Sequence, residues 1–196
     1  SRHKHWAAYN TFALLAEPWC LSLPPMPTME ELVSDKGKQA EQPYSYKIVD
    51  NEIALAEFLS RLSEHCKSGI IGVDTETDIV GSTPHEMRDT LVGIGIAISN
   101  DCYFGYAGYE PWMAALRDHL AGKPWVGWAS KYDLSCLRRH GIHPGPLVGD
   151  GMLAAYLAGE PNARLKDVVY RRLGYRMTTY DEIVGTGKSR SPISQV

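Results

Sequence analysis

Several absences narrow the function of this 196-residue chain before any motif is considered. Its four cysteines, Cys20, Cys66, Cys102 and Cys136, are far apart and form no C-x-x-C pair. That spacing excludes a zinc ribbon and offers no disulfide framework, so a reducing compartment is expected. Long apolar runs are also missing: the most apolar early stretch, 7–16, is interrupted by Tyr9, Asn10 and Thr11 and followed by Glu17 and Pro18, a poor signal-peptide core. Nothing approaches the roughly 20 apolar residues of a membrane span. The chain therefore reads as soluble and cytoplasmic, with no membrane partner. Nor is there a surplus of positive charge. Lys plus Arg number 20 against 23 for Asp plus Glu, a net charge of −3, which excludes a protein that binds nucleic acid over its whole surface and leaves only local binding. The phosphate-cradling Gly-x-x-x-x-Gly-Lys-Ser/Thr motif and internal repeats are absent as well.

What remains is ordinary globular composition, 44% hydrophobic and 22% charged, enough for one domain with a sizeable core. Residues 1–15 read as a short helix. Pro18, Pro24, Pro25, Pro27 and Pro43, with the polar run 34–42, mark a linker, so 1–43 is expected to be an N-terminal segment with a Pro-rich linker and the globular part to occupy 44–196. A strand over 44–49 stops at Asp50, expected as a helix N-cap, and Leu55, Phe58, Leu59, Leu62 and Cys66 form one helical stripe behind it. The period then shortens to that of a buried strand at 70–73, which runs directly into the acids Asp74, Glu76 and Asp78. A hairpin is predicted from strands 91–99 and 102–106 about an Asn100-Asp101 turn. Pro111 opens a helix to 120, 125–127 reads as a short strand, and Tyr132, Cys136 and Leu137 give a helix ending at Gly141. Beyond it the pattern is helical, at 151–157, 165–173 and a short turn at 180–184. Strands and helices in this order predict an α/β fold with a mixed sheet covered by helices.

Asp74 and Glu76 carry the first chemical signal. Alternate residues of a strand share a face, so two carboxylates leave the sheet about 6–7 Å apart along the chain. They repel unless a cation joins them, and hard divalent ions such as Mg²⁺ prefer oxygen ligands of this kind. The spacing alone is read more simply as a strand end whose acids are merely solvated. Asp133, opening a helix just after the short strand 125–127, adds a third acid, although an acid there also complements the helix dipole.

A D-x-E at a strand end, a hairpin, and then Lys131-Tyr132-Asp133 opening a helix together resemble the 3′–5′ proofreading exonuclease domain of family A (polymerase I type) DNA polymerases, of the ribonuclease H-like DEDD superfamily. The resemblance covers residues 44–196 and continues through Asp150-Gly151-Met152-Leu153 and Leu173-Gly174-Tyr175 into the segment 180–188. It implies a ribonuclease H-like fold, and a two-metal site with two Mg²⁺ or Mn²⁺ ions held by Asp74, Glu76 and Asp133. In that arrangement Asp74 bridges the ions, Glu76 orients the attacking water, and Asp133 holds the second ion through waters. The implied substrate is a single-stranded DNA 3′ end, with a polymerase domain in cis or in trans as partner. Val80 takes the position of an apolar wedge between the last two bases and Tyr180 that of an aromatic residue against them. Thr75, Trp128 and Tyr132 complete the expected substrate contacts, Tyr132 as a second stacking ring. Residues 163–196 hold seven basic residues against Asp167, Asp181 and Glu182, a local surplus of +4; Arg171 and Arg172 in it read as a solvated helix face.

This sequence departs from the family pattern twice. Ala129 stands where the family usually has an asparagine, with Trp128 or Ser130 as the residues expected to compensate. The family's third motif, Tyr-x-x-x-Asp on a helix, has no counterpart up to Val196, so the natural protein is expected to continue; Asp150 reads as a helix cap and Asp78 as a supporting or solvated acid. These departures motivate a second function class, a catalytically silent module that binds primer strand or braces a polymerase; a third reading is an RNA-processing exonuclease of the ribonuclease D type, against which the segment 180–188 favours the polymerase branch.

Overall fold

Each change of period in the sequence becomes an element boundary. The computed structural model describes residues 45–65 and 69–174, with 176, 177, 185, 191, 192 and 194 beyond them. The segment 1–43, Cys66, and the 180–184 turn with Tyr180 lie outside the described residues. Strand β1 (Ser45–Ile48) leads into helix α1 (Glu52–His65). Its cap is Asn51 rather than Asp50. An N-cap side chain must reach the amide three residues on, and Asn51 Oδ1 accepts the Ala54 N–H at 3.0 Å, while Asp50, one position too early, accepts the Asn51 side-chain amide at 2.7 Å.

Strands β2 (Ile71–Asp78), β3 (Thr90–Ile98) and β4 (Asp101–Tyr106) form the antiparallel meander. The hairpin turns on Ser99 and Asn100, one residue earlier than expected, because Ile98 pairs with Asp101; Ser99 takes the left-handed conformation with φ 52°. The acids also sit differently from the expectation. β2 does not stop at Val73 but runs through Asp74 and Glu76 to Asp78, paired with β3 from Gly72 onward, with a register shift between Glu76 and Thr77. Helix α2 (Glu110–His119), strand β5 (Trp125–Gly127) and helix α3 (Lys131–Arg139) follow, and then a strand that periodicity did not reveal, β6 (Leu147–Asp150), before helices α4 (Gly151–Leu157) and α5 (Leu165–Leu173). The sheet order is β1-β4-β3-β2-β5-β6, with β1 parallel to β4, β5 to β2 and β6 to β5. This is the mixed α/β sheet that the sequence predicts. Among the described residues no helix is long and apolar enough to cross a membrane.

Pairing register and alternation divide the central strands into two unlike faces. On one, Ile71, Val73, Ile94, Ile96 and Tyr103 pack against Phe58 and Leu62 of α1 and Trp112 and Leu116 of α2. The Phe58 ring meets Trp112 edge-on at 4.6 Å and Tyr103 at 5.3 Å, a favoured aromatic geometry. On the other face Gly72, Asp74 and Glu76 of β2 lie beside Ala97, Gly95 and Gly93 of β3. These small residues leave a cavity of about 280 Å³, whose lining includes Asp74, Gly95, Ala97, Cys102 and Tyr46. Gly93 itself is covered by the Phe104 ring, which a Cβ at that position would meet at 2.1 Å.

Candidate active site

The site forms where a strand runs out of a partner. β5 is only three residues long and pairs with β2 at Ile71 and Gly72; past that point α3 takes the place of a neighbouring strand. The Thr75 N–H, which a strand carbonyl would otherwise accept, donates to Asp133 Oδ1 at 3.0 Å, and the Thr75 hydroxyl donates to the same oxygen at 2.6 Å. One rung higher, Thr77 Oγ1 and the Tyr132 hydroxyl are 2.7 Å apart. Two consecutive residues of α3 are thus tied to alternate residues of β2.

The approach to α3 is fixed by Asp150. Its carboxylate accepts the N–H groups of Ala129 at 3.2 Å and Ser130 at 2.7 Å while capping α4 through Met152 at 2.9 Å and Leu153 at 3.3 Å. The capping role expected for Asp150 is what these contacts show, with a clip on the start of α3 added to it. Ala129 lies at φ 57°, a conformation that asparagine tolerates better than alanine. Asp78 accepts the N–H and the hydroxyl of Ser194.

Three carboxylates, Asp133 buried and Asp74 and Glu76 half-buried, now lie close enough to feel one another's charge. Burial pushes the Asp74 carboxyl well above the usual carboxylate range, the charge of Asp133 adds to this, and the Thr75 amide opposes it. Glu76 is pushed up to about 8, first by burial and then by Asp133, with Lys166 pulling it down and Asp78 pushing it up. Asp133, 4% exposed, is raised to about 6, chiefly by burial against the opposing hydrogen bonds of Thr75. Sites that penalise their own charges in this way are frequent among functional centres.

An all-carboxylate donor set suits a hard divalent ion. Yet among the described residues no group of three or more His, Cys, Asp or Glu side chains converges closely enough to hold one ion jointly. Part of the reason is visible at Asp133, whose Oδ1 already accepts both Thr75 donors. The donor chemistry fits a divalent ion; a closed cage is not preformed.

The expected substrate residues fall into different environments. Val80 is 43% exposed beside Ile79, just past the end of β2. Tyr132 is half-buried, and its hydroxyl donates to Asp89 Oδ2 at 2.9 Å. Thr75 is buried, with its polar groups turned to Asp133. Trp128 is half-buried, packed with Tyr46 and Leu165 against Ala97 and Cys102. Ser130 is fully buried. The Arg171 and Arg172 side chains depart from a solvated face: both grip Glu160, whose side chain is 2% exposed, Arg171 Nη2 at 2.9 Å. Two of the basic residues near the C-terminus are therefore already committed within the fold. In the sequence Lys166 stands out only as charge, and Asp89 hardly at all. An acid at the foot of a strand, between Arg88 and Thr90 in a polar loop, was its sole signal.

The sequence profile of a family described as 3′–5′ exonuclease matches residues 46–196. Among curated protein sequences none matches. Solved structures share the fold. The EXO domain of Aedes aegypti Nibbler is 14% identical with a TM-score of 0.53, the match covering 76% of each chain. Escherichia coli RNase D, described as an exoribonuclease, is 22% identical with a TM-score of 0.51, over 70% of this chain and 36% of its own. The POL domain of Pol1 from M. smegmatis is 21% identical with a TM-score of 0.54, over 68% of this chain and 23% of its own. This chain therefore spans about a third of RNase D and a quarter of the polymerase, and its six-stranded mixed sheet is the ribonuclease H-like one expected.

Proposed function

The chain belongs to the 3′–5′ exonuclease domain family, and on that premise we propose that it removes nucleotides from a single-stranded DNA 3′ end with divalent ions, Mg²⁺ or Mn²⁺, held by Asp74, Glu76 and Asp133. The observation that carries this reading is the placement of the three acids, Asp74 and Glu76 on one face of β2 and Asp133 tied to that strand through Thr75, a setting that raises the proton affinity of each. A fold keeps carboxylates in so unfavourable a setting when a cation is meant to replace the protons. Two such ions would activate a water and stabilise the leaving 3′ oxygen.

The remaining work falls to the chain. Thr75 and Asp150 hold Asp133 and the start of α3 in place, Glu76 orients the attacking water, and Val80 offers an exposed apolar contact to the terminal bases. Tyr180 serves as the second base contact. A polymerase domain, in cis or in trans, is the partner that delivers the frayed 3′ end. Editing of DNA is favoured by the 180–188 segment, which resembles the polymerase branch.

Calorimetric titration with Mn²⁺, together with hydrolysis of 5′-labelled single-stranded DNA and RNA of one sequence, tests the proposal. Metal binding and stepwise shortening from the 3′ end are expected, both abolished by Asp74→Ala and faster on DNA. Equal metal affinity in the wild type and Asp74→Ala would exclude this site as the metal centre. Metal binding without cleavage of either strand would leave a binding module instead of an enzyme.

A further inference from the structure

Between Asp78 and Thr90 the chain leaves the sheet, and this excursion has almost no apolar support. Ile79, Val80 and Met87 are 37%, 43% and 62% exposed, and Asp89 is the one buried residue in it, at 0%. Burial of apolar surface cannot hold such a loop in one shape; hydrogen bonds to a desolvated charge can. The Asp89 carboxylate collects three of them. Oδ1 accepts the Val80 N–H at 2.9 Å, and Oδ2 accepts the His85 N–H at 2.7 Å and the Tyr132 hydroxyl at 2.9 Å. Arg139 of α3 donates to the Asp89 main-chain carbonyl. Burial alone would raise this carboxyl, but the His85 and Val80 amides, the Tyr132 hydroxyl and the Arg88 charge outweigh it and keep it ionised.

The direction of the network follows from its protons. Tyr132 has one hydroxyl proton, and the ionised carboxylate is its stronger acceptor, so Thr77 donates to Tyr132 and Tyr132 to Asp89. Thr77 lies on β2 one residue beyond Glu76, and Tyr132 immediately precedes Asp133. A single carboxylate therefore connects the main chain of Val80, the end of the acid-bearing strand and the helix that carries the third acid.

We infer that Asp89 is a positioning residue for the substrate strand: it sets where Val80 stands relative to Asp74, Glu76 and Asp133, and so which phosphodiester reaches the acids. The inference rests on the exonuclease reading, with Val80 as the contact to the terminal bases. Loss of this anchor displaces the apolar contact and leaves the acids in place.

The test compares the wild type, Asp89→Asn, Tyr132→Phe, Val80→Ala and the double variant Asp89→Asn/Val80→Ala on a 5′-labelled single-stranded DNA, with Mn²⁺ affinity measured alongside. Asp89→Asn should raise KM about tenfold, the weight of one hydrogen bond to a charged group, with a smaller change in kcat and with Mn²⁺ affinity within about twofold of wild type. Tyr132→Phe, which removes one hydroxyl, should move KM the same way by about threefold, and it carries the test if Asp89→Asn does not fold. In the Val80→Ala background Asp89→Asn should add less than about twofold, because contacts acting through one another are not additive. Full additivity, an unchanged KM, or a loss of Mn²⁺ affinity in step with KM would overturn the inference and leave Asp89 a general brace of the loop. A wild-type protein that neither binds nor cuts the strand would instead defeat the exonuclease reading itself.

Discussion

The two faces of the central sheet use the same strands for opposite ends. Across four consecutive residues, Val73 is buried in the main core, Asp74 faces the cavity, Thr75 turns its polar groups to Asp133, and Glu76 returns to the cavity side. One face gathers branched and aromatic side chains and supplies the stability. On the opposite face glycine, alanine and carboxylate line the middle of β2 and β3, with only a small cluster of Tyr46, Cys102, Trp128 and Leu165 beside them, and there packing is given up for space and the charges oppose the fold. A period of two is what lets a single strand serve both without compromise. Stability and chemistry are thus separable by substitution, and that separability can be put to the test.

The largest effect is expected on the packed face. Trp112→Ala, removing an indole with no exposure from between Phe58 and Gly105, should cost about 3–5 kcal/mol in chemical denaturation and leave Mn²⁺ affinity per folded molecule unchanged. A change in that affinity would break the separation between the faces. Glu76→Gln on the open face should act with the opposite sign. A carboxyl raised in the fold to about 8 from its ordinary 4.5 favours folding fully below the ordinary value, and that contribution is lost as pH rises through 8. Without divalent ions, Glu76→Gln should match the wild type near pH 4 and exceed it by on the order of 2 kcal/mol at pH 8. Added Mn²⁺ should stabilise the wild type more than the variant. Thermal unfolding at the two pH values, with chelator and with Mn²⁺, measures both effects. The smallest effect is expected at Ala129→Gly, which relieves a left-handed alanine at φ 57° and should gain about 0.5–1 kcal/mol. No gain would mean that the Asp150 clip depends on the alanine methyl.

Much of this arrangement was legible in the residues because local chemistry dictated it. The acids after a buried apolar run, Gly141 past α3, Pro111 in the first turn of α2 and the acid opening α4 all act within a turn of chain. What escaped depends on distant partners. β6 is four half-exposed residues between Pro146 and α4, with no alternation, and becomes a strand through its pairing with β5. The cap shifted from Asp50 to Asn51 because reach, not residue type, decides between adjacent polar side chains. Arg171 and Arg172 look solvated until Glu160, eleven and twelve residues earlier, is placed between them. Asp89 was silent for the same reason, its hydroxyl partner lying 43 residues away.

The short β5 strand has one more consequence. By leaving the Thr75 amide to bond with a carboxylate in place of a neighbouring carbonyl, it turns that amide into a built-in indicator. Its proton resonance should be drawn downfield by the ionised acid and should move as Asp133 titrates near pH 6. A bound divalent ion should flatten that titration, so one backbone signal, recorded without substrate, would read the charge state of the centre directly.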